Sequence, residues 1–356
     1  MSTKQSKDFL FAKLAFQQAE INLGSTSTNP SVGCVIVKKN SVVSSGRTNV
    51  NGRPHAEANA LKRKLDFKNS ILYSTLEPCS HFGKTGPCTE KIIKNKIKKV
   101  IFSTTDWDTR SANKALIILK KEKIQVKKNV LNIYGKSFYK SYYNSKNTLP
   151  FLEAKIAISK DFFSISKKKK FITNNQSRKL GNFLRSRYDC LLTTSETVNE
   201  DNPLLNCRIE ALTHKSPSIA IIDRKFKLKT NLKIFNNKAK KIFLIVNIDN
   251  KKKEIFFKKK GIKVIKIKKK FNNLKNVLII LKRLNFNRIF VESGLTFLNS
   301  LINHQFLKNL YIFQSSDYLK KNGMNNNSSL NIRKLVKKNK KIQINLKDDT
   351  LYHAKI

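Results

Sequence analysis

Apolar residues recur at helical spacing over residues 8–22 (DFLFAKLAFQQAEIN), which predicts a first helix there. Gly24 and the polar stretch STSTNP end it. The short β-branched run VGCVIV predicts a buried strand, KKNS a turn, and VVSSG the return strand of a hairpin. A polar loop, RTNVNGRP, leads into HAEANALKRKL, which has the pattern of a helix. ILYSTL is a strand, CTEKIIKNK a helix with Pro87 near its first turn, KKVIFST a strand and ANKALIILKKE a helix. Strand and helix alternate, which argues for an α/β layered domain.

The polar stretch SYYNSKNTLP at 141–150 ends in proline and is the candidate linker. A second alternating pattern follows it. FLEAKIAIS is a strand and QSRKLGNFLRSR a helix; DCLLTTS, SPSIAIID, KKIFLIV and IKVIKI are strands. NNLKNVLIILKRL is a helix, RIFVES a strand, LTFLNSLIN a helix, and LKNLYIFQ the final strand. The lysine runs at 167–170 and KKKE at 251–254 read as solvated loops, and no repeat of fixed period is found.

The 356 residues suit two domains, each able to bury its own core. No apolar run approaches the length of a membrane span, and the start lacks the apolar stretch and cleavage site of a secretory signal, so a cytoplasmic protein with no membrane partner is expected. A formal net charge of +50 raises the reading of a nucleic-acid binder. The lysines, however, are scattered over helix faces, turns and strand edges, and Lys, Asn, Ile and Phe, all with A/T-rich codons, are abundant throughout. Drift in base composition is the favoured account, with no specific nucleic-acid partner. The cysteines are Cys34, Cys79, Cys88, Cys190 and Cys207; their odd number argues against a disulfide framework. Cys34 and Cys190 sit in apolar runs and are expected to be buried thiols.

The strongest chemical signal is HAE followed by PC and, eight residues on, a second cysteine. A hydrolytic deaminase must make water nucleophilic at neutral pH, and bound zinc does this with three protein ligands and one open position. His55 supplies a nitrogen; Cys79 and Cys88 supply thiolates, each expected near the positive end of a helix. Glu57, two residues after His55, sits beside the metal without ligating it and can carry a proton from water to the leaving amine. A structural zinc site would need a fourth ligand and no acid–base residue, which weighs against a zinc-stabilised binding module.

HAEANAL, TLEPCSHFGKTGPC and NPSVGCVIV together resemble the bifunctional deaminase/reductase family of riboflavin biosynthesis. The wide cysteine spacing separates the chain from cytidine and tRNA-adenosine deaminases, which usually carry PC-x2-C. The resemblance implies a cytidine-deaminase-like three-layer domain over residues 1–145 and a dihydrofolate-reductase-like α/β domain over 150–356. It implies zinc and NADPH as cofactors, a phosphorylated pyrimidine as substrate and a homo-oligomer. The substrate would be 2,5-diamino-6-(5-phosphoribosylamino)pyrimidin-4-one, deaminated and then reduced at its ribosyl group to ribityl. Asn29 would bond the pyrimidine, His81 would be a substrate-side or loop residue, and Arg53 and Lys84 would either meet the phosphate or be solvated loop charges.

The second half carries no Gly-rich dinucleotide fingerprint, so its site residues come from the resemblance. KIAIS-x-D at 155–161, FIT at 171–173, FLRSRYDCLLTTSETVNEDNPLLNCR and VESGLTFL at 291–298 resemble the family's reductase segments. They imply Ala157, Phe171, Thr197, Asp201, Gly294 and Thr296 at the cofactor. They imply Arg185, Leu205, Arg208 and Glu292 at the substrate, where an arginine fork suits phosphate. The chain departs from the family pattern in several places. Phe171 replaces a tryptophan, Phe162 and Phe163 stand where glycine and a basic residue are usual, Arg224 replaces a serine, and DWDTRSANK at 106–114 replaces a DPNP-type loop. A glycine lost from a tight loop is expected to force φ into an unfavourable region. A deaminase whose reductase half has decayed, and a nucleic-acid (tRNA-type) deaminase, are the alternative readings.

Overall fold

The structure, a computed structural model, describes residues 6–143, 148–236, 241–268, 273–324 and 330–356. The chain forms two compact units, Met1–Asn147 and Thr148–Ile356. Residues 144–147 of the expected linker, and the first residues of the predicted KKIFLIV and NNLKNVLIILKRL elements, lie outside the described residues.

In the first unit, β1 (Gly33–Lys38) and β2 (Ser41–Arg47) form the expected hairpin. Lys39 and Asn40 both have positive φ (51° and 63°), the backbone that matches a tight turn to strand twist. β1 also pairs antiparallel with β3 (Ile71–Leu76), which continues in parallel to β4 (Lys99–Thr104) and β5 (Gln125–Lys128), giving the order β2-β1-β3-β4-β5. β5 has no sequence expectation behind it: it is a short edge strand with a single apolar residue, Val126, so no hydrophobic alternation announces it.

The helices are α1 (Lys7–Ile21), α2 (Ala56–Ala60), α3 (Cys88–Lys94), α4 (Lys114–Lys121), α5 (Asn132–Phe138) and α6 (Lys140–Tyr143). Ala15 of α1 is buried with Val35, Val37, Tyr73 and Ile101. Residues of α2, α3 and α4 (Ala56, Ala60, Ile92, Ala115, Leu119) are buried with Cys34, Ile36, Leu72, Val100 and Phe102, whose alternation along the strands puts them on the other face. Two glycines permit this close layering. A Cβ on Gly33 would lie 1.9 Å from the Ala15 carbonyl oxygen, and one on Gly46 would lie 2.3 Å from that of Ala56. The helix expected over HAEANALKRKL ends early, at Ala60. Phe67 must enter the core six residues after Leu61, and Lys38 grips both the carbonyl (2.9 Å) and the carboxylate (2.8 Å) of Asp66, so the chain turns.

The second unit is built on an eight-stranded sheet of order β11-β10-β9-β8-β12-β6-β13-β15. Its strands are β6 (Phe151–Ile158), β8 (Cys190–Thr194), β9 (Ser218–Ile222), β10 (Ile242–Val246), β11 (Lys263–Lys266), β12 (Arg288–Glu292), β13 (Leu307–Gln314) and β15 (Thr350–Lys355). All neighbours are parallel except β13 and β15. A separate two-residue ladder joins β7 (Ile165–Ser166) to β14 (Gly323–Met324). The expected final strand is therefore not the last: β15 follows it and closes the sheet edge.

The helices are α7 (Asn175–Arg185), α8 (Ser195–Asp201), α9 (Lys251–Lys259), α10 (Leu274–Arg283), α11 (Leu295–Asn303) and α12 (Leu330–Lys338). α10, α11 and α12 bury Leu278, Leu298 and Ile332 against Leu152, Ala154 and Val291 on one face. α7, α8 and α9 contribute Leu184, Val198 and Phe257 to the clusters that hold Phe290, Leu191 and Leu244. Both faces are covered, which explains why the strands read as nearly continuous apolar runs. The lysine run at 251–254, expected as a loop, opens α9 instead: the Asn250 side chain caps Lys253 N–H at 3.0 Å, and Glu254 pairs with Lys258 one turn on at 2.9 Å. No helix among the described residues is long and apolar enough to cross a membrane.

Replacing Gly33 by alanine should lower the stability of the first unit by about 2–3 kcal/mol, because the new methyl meets α1 backbone that cannot step aside. Gly181, inside α7 with nothing within 4 Å of a built Cβ, should respond oppositely, gaining about 0.5–1 kcal/mol as alanine. Thermal unfolding of the two variants, followed separately for each unit, checks both signs.

Candidate functional site

Three segments of the first unit bring one nitrogen and two sulfurs together. His55 is the residue before α2, extended at φ −70° and ψ 162°, and its side chain is not used to cap the helix. Cys88 is the first residue of α3, with Pro87 before it at φ −63°. Cys79 follows β3 and, contrary to expectation, does not begin a helix; it reaches the start of α3 in space, where its sulfur accepts the Cys88 N–H at 3.3 Å. His55 Nδ1 lies 3.5 Å from Cys79 Sγ and 3.6 Å from Cys88 Sγ.

Those distances test the fit of a metal. A tetrahedral zinc with its usual Zn–N and Zn–S bond lengths separates nitrogen from sulfur by about 3.6 Å. The donor chemistry agrees. The thiol of Cys88, with help from His55, holds Cys79 down to about 4, while hydrogen bonding to Cys79 and burial push Cys88 well above the ordinary thiol range. A bound dication would favour the thiolate form of both. Among the described residues, His55, Cys79 and Cys88 form the one such cluster.

α2 packs against Gly46, and this seats Glu57 within hydrogen-bonding reach of Cys88. Its carboxylate is buried, and its Oε1 accepts a hydrogen bond from Ser74 Oγ of β3 at 3.0 Å. Burial raises the Glu57 carboxyl above its usual range, and the Cys79 sulfur adds to the effect. Asn29 is half-buried, and its Nδ2 donates to the Gly52 carbonyl at 2.8 Å; Gly52 itself has φ +90°. His81 Nδ1 lies 2.7 Å from Ser111 Oγ, Arg53 Nη1 donates to Thr85 Oγ1 at 2.7 Å, and Lys84 is exposed. Sequence reasoning passed over Glu77. Its buried carboxylate accepts the backbone N–H of Asp106 (3.2 Å), Asn113 (3.0 Å) and Ala115 (3.2 Å), fixing the 106–113 segment and the start of α4. An acidic residue placed directly after the apolar strand ILYSTL was the available signal.

In the second unit, the chain steps outward from β8 to β11 and then returns to place β12 between β8 and β6. The carboxyl ends of β6, β8 and β12 therefore lie side by side at a switch in strand order, where open parallel sheets bind ligands. Ala157 is near the end of β6, Glu292 ends β12, and Thr197 is in α8, which follows β8. Glu292 is gripped by Arg185, whose Nε and Nη2 donate to its oxygens at 2.6 and 2.9 Å, with Lys155 Nζ at 3.8 Å. Burial opposes ionisation of Glu292, yet the Arg185 charge wins and holds its carboxyl at about 2. Arg185 Nη1 donates to Asn182 (3.0 Å) and to the Asn206 carbonyl (2.9 Å), so the whole fork is engaged inside the protein. Arg208 is exposed and close enough to Arg185 and Arg178 to feel their charges.

Asp201 lies within reach of the Lys155 and Lys170 charges. Phe171 is 53 % exposed, with the Arg178 guanidinium 4.4 Å above its ring. Leu205 is buried with Leu191 and Val198 at φ +54°, so its side chain serves the core and offers little surface to a ligand. Gly294 caps α11 with nothing within 4 Å of a built Cβ, Thr296 is exposed in the first turn, and the buried Ser293 Oγ has no partner among the described residues. Open helix-end amides beside an orphaned hydroxyl fit the phosphates of a dinucleotide. The residue in the expected glycine position behaves as foreseen: Phe162 is held at φ +70°, at a cost of about 1–2 kcal/mol.

Two outcomes follow from these geometries. Cys88→Ser should purify with far less than one zinc per chain while the second unit stays folded, as metal analysis and circular dichroism would show. Glu292, whose folded carboxyl is depressed from 4.5 to about 2, contributes stability that is full above pH ~4.5 and is lost as pH falls toward ~2, on the order of 3 kcal/mol. Glu292→Gln should therefore unfold more easily at neutral pH and show a flatter acid limb in pH-dependent melting.

Residues 5–104 match the cytidine and deoxycytidylate deaminase zinc-binding region, and residues 150–317 match the RibD C-terminal domain. The chain is 33% identical over 307 residues to the riboflavin biosynthesis protein RibD of Aquifex aeolicus, covering 85% of each chain. It is 37% identical over 143 residues to the diaminohydroxyphosphoribosylamino-pyrimidine deaminase of Buchnera aphidicola subsp. Schizaphis graminum, covering 40% of this chain and 97% of that one. In fold it matches the crystal structure of a diaminohydroxyphosphoribosylaminopyrimidine deaminase/5-amino-6-(5-phosphoribosylamino)uracil reductase from Thermotoga maritima, with a TM-score of 0.82 over 98% of both chains at 24% identity. A zinc-binding deaminase region followed by a reductase region, in one chain and over most of the length of its relatives, places this protein in the RibD family of bifunctional riboflavin-biosynthesis enzymes.

Proposed function

We propose that residues 1–145 deaminate 2,5-diamino-6-(5-phosphoribosylamino)pyrimidin-4-one and that residues 150–356 reduce the ribosyl group of the product to ribityl with NADPH. The observation that carries this reading is the pair of nitrogen–sulfur distances, 3.5 and 3.6 Å, with the buried carboxyl of Glu57 in hydrogen-bonding reach of Cys88. His55, Cys79 and Cys88 would hold zinc, which supplies the acidity that makes water nucleophilic at neutral pH. Glu57 takes the proton of the attacking water on its carboxylate and delivers it to the departing amine, so that water enters and ammonia leaves. Ser74 donates to Glu57 Oε1 at 3.0 Å and so fixes the orientation of the carboxylate. The raised carboxyl suits this task, because a group that must both accept and release a proton works best nearer neutrality. Asn29 would bond the pyrimidine.

In the second unit, Gly294, Thr296, Thr197, Asp201, Ala157 and Phe171 would line the cofactor, which supplies a hydride. Arg185 does not present its fork to the substrate phosphate; it fixes Glu292 in ionised form, so that Glu292 accepts from substrate hydroxyls. The phosphate falls to Arg208, whose guanidinium is exposed. Leu205 would contribute through its backbone. The protein would act in the cytoplasm, as a homo-oligomer. A deaminase with a failed reductase is the second reading, and the left-handed backbone at Phe162 is what favours it.

A paired assay decides between them. Zinc-loaded protein given the diaminopyrimidinone phosphate should release ammonia with or without NADPH, and should oxidise NADPH when it is present. Ammonia without NADPH loss establishes the second reading, and no ammonia from folded, zinc-replete protein removes the substrate assignment. Glu57→Gln should keep its zinc, lose ammonia release by about 10²–10⁴-fold, and still oxidise NADPH when given the deaminated intermediate.

A further inference from the structure

Ser80–Pro87 separates the two cysteines, and a loop of that length must keep its shape if both sulfurs are to face the same point. Its own backbone does little to hold it. Cys88 N–H and Thr89 N–H return to Cys79, at the sulfur (3.3 Å) and the carbonyl (3.2 Å), and close the base. Within the excursion, Gly83 N–H reaches the Thr85 carbonyl at 3.3 Å. The shoulders are held from outside, by side chains. On one side Arg53 Nη1 donates to Thr85 Oγ1 at 2.7 Å; on the other His81 Nδ1 lies 2.7 Å from Ser111 Oγ.

Both ties start from ground that is already fixed. Arg53 stands two residues before His55 in the chain. Ser111 is fully buried in the 106–113 segment that the Glu77 carboxylate pins through backbone N–H groups. The remaining nitrogens then converge: a Cβ on Gly83 would lie 3.5 Å from Arg53 Nη2 and 4.0 Å from His81 Nε2. The outward face of the loop carries Phe82, 75 % exposed, and Lys84.

We propose that Arg53, through Thr85, and Ser111, through His81, are positioning residues that preform the loop between the cysteine ligands as one wall of the deaminase substrate site. The inference rests on the deaminase reading above. Neither tie touches the reacting atoms, Glu57 or Ser74, so loosening the loop weakens substrate binding and leaves the chemical step alone. Arg53 on this account is a strap, its Nη1 committed to Thr85, and not a phosphate ligand.

The test uses full-length, zinc-loaded Thr85→Val, Thr85→Ser and Ser111→Ala. Losing one such hydrogen bond corresponds to about a 2- to 10-fold rise in KM for the aminopyrimidine. Thr85→Val and Ser111→Ala should show that rise with kcat, zinc content and NADPH oxidation near those of the parent, and Thr85→Ser, which keeps the hydroxyl, should restore the parent KM. A readout independent of catalysis accompanies it: tryptic cleavage after the exposed Lys84, followed by mass spectrometry, should quicken in Thr85→Val and Ser111→Ala but not in Thr85→Ser. Unchanged KM and cleavage, a fall in kcat at constant KM, or Thr85→Ser behaving like Thr85→Val would each overturn the proposal. If the parent releases no ammonia while Lys84 cleavage follows the predicted order, the ties stand and the substrate reading fails.

Discussion

A thiolate pair beside an imidazole is unfavourable unless a cation joins them, and the first unit is arranged around that constraint. His55, Cys79 and Cys88 come from three segments, and each depends on a different packing contact. α2 reaches its place because Gly46 has no side chain in the way; α3 starts at Cys88 with Pro87 before it in the extended N-cap conformation, φ −63° and ψ 148°, where its missing N–H costs nothing. Cys79 is carried to the end of β3 by the sheet register that pairs β3 with β1 and β4. The same layering that brings the His55 nitrogen within 3.6 Å of both sulfurs also buries Glu57, and burial is what raises its carboxyl. Metal site and proton carrier are thus consequences of one packing arrangement.

The second unit depends on a different kind of contact. Glu292 is buried at the end of β12, and burial alone would make it a neutral acid. Arg185, projecting from α7, reverses that by giving it two hydrogen bonds and a full charge at short range. A second buried carboxylate repeats the solution near the start of the neighbouring strand β6: Glu153 is held at about 2 against burial by His353, Arg288, Tyr188 and Asn309. Removing one partner of a buried pair leaves the other's charge uncompensated, so Glu292 with Arg185 and Glu153 with Arg288 are costly to break.

The high positive charge looks different once folded. The lysine run at 251–254 is a helix start, and Lys263 and Lys266 stand on the exposed edge strand β11. Lysines on an edge strand discourage pairing with other chains. Lys253 donates to the Phe226 and Leu228 carbonyls, at 2.6 and 3.0 Å, so even part of a charge run can hold a loop in place. These lysines act within the fold.

Much was legible in the sequence. Alternation and helical spacing gave the central strands of both sheets and the helices α1, α4, α7, α10 and α11, because burial is what imposes periodicity, and missed α5, α6, α8 and α12. The HAE and PC-x8-C spacing named His55, Glu57, Cys79 and Cys88, because ligand chemistry restricts residue type far more than packing does. What escaped were features with no local signature. β5 and β15 are an edge strand and a late addition to a sheet, formed because a neighbour offers backbone partners. The early end of α2 is set by Phe67 and Lys38, and the engagement of Arg185 by Glu292 joins residues 107 positions apart. Glu77 serves backbone N–H groups 29 and 36 positions away. The sequence by itself determined the residues of the zinc site and the helices and strands whose apolar pattern repeats, since both depend on residue type and nearest neighbours. Tertiary structure alone decided which charges are buried, which arginine is free and which loop is tied, since those follow from contacts between segments that the chain order keeps far apart.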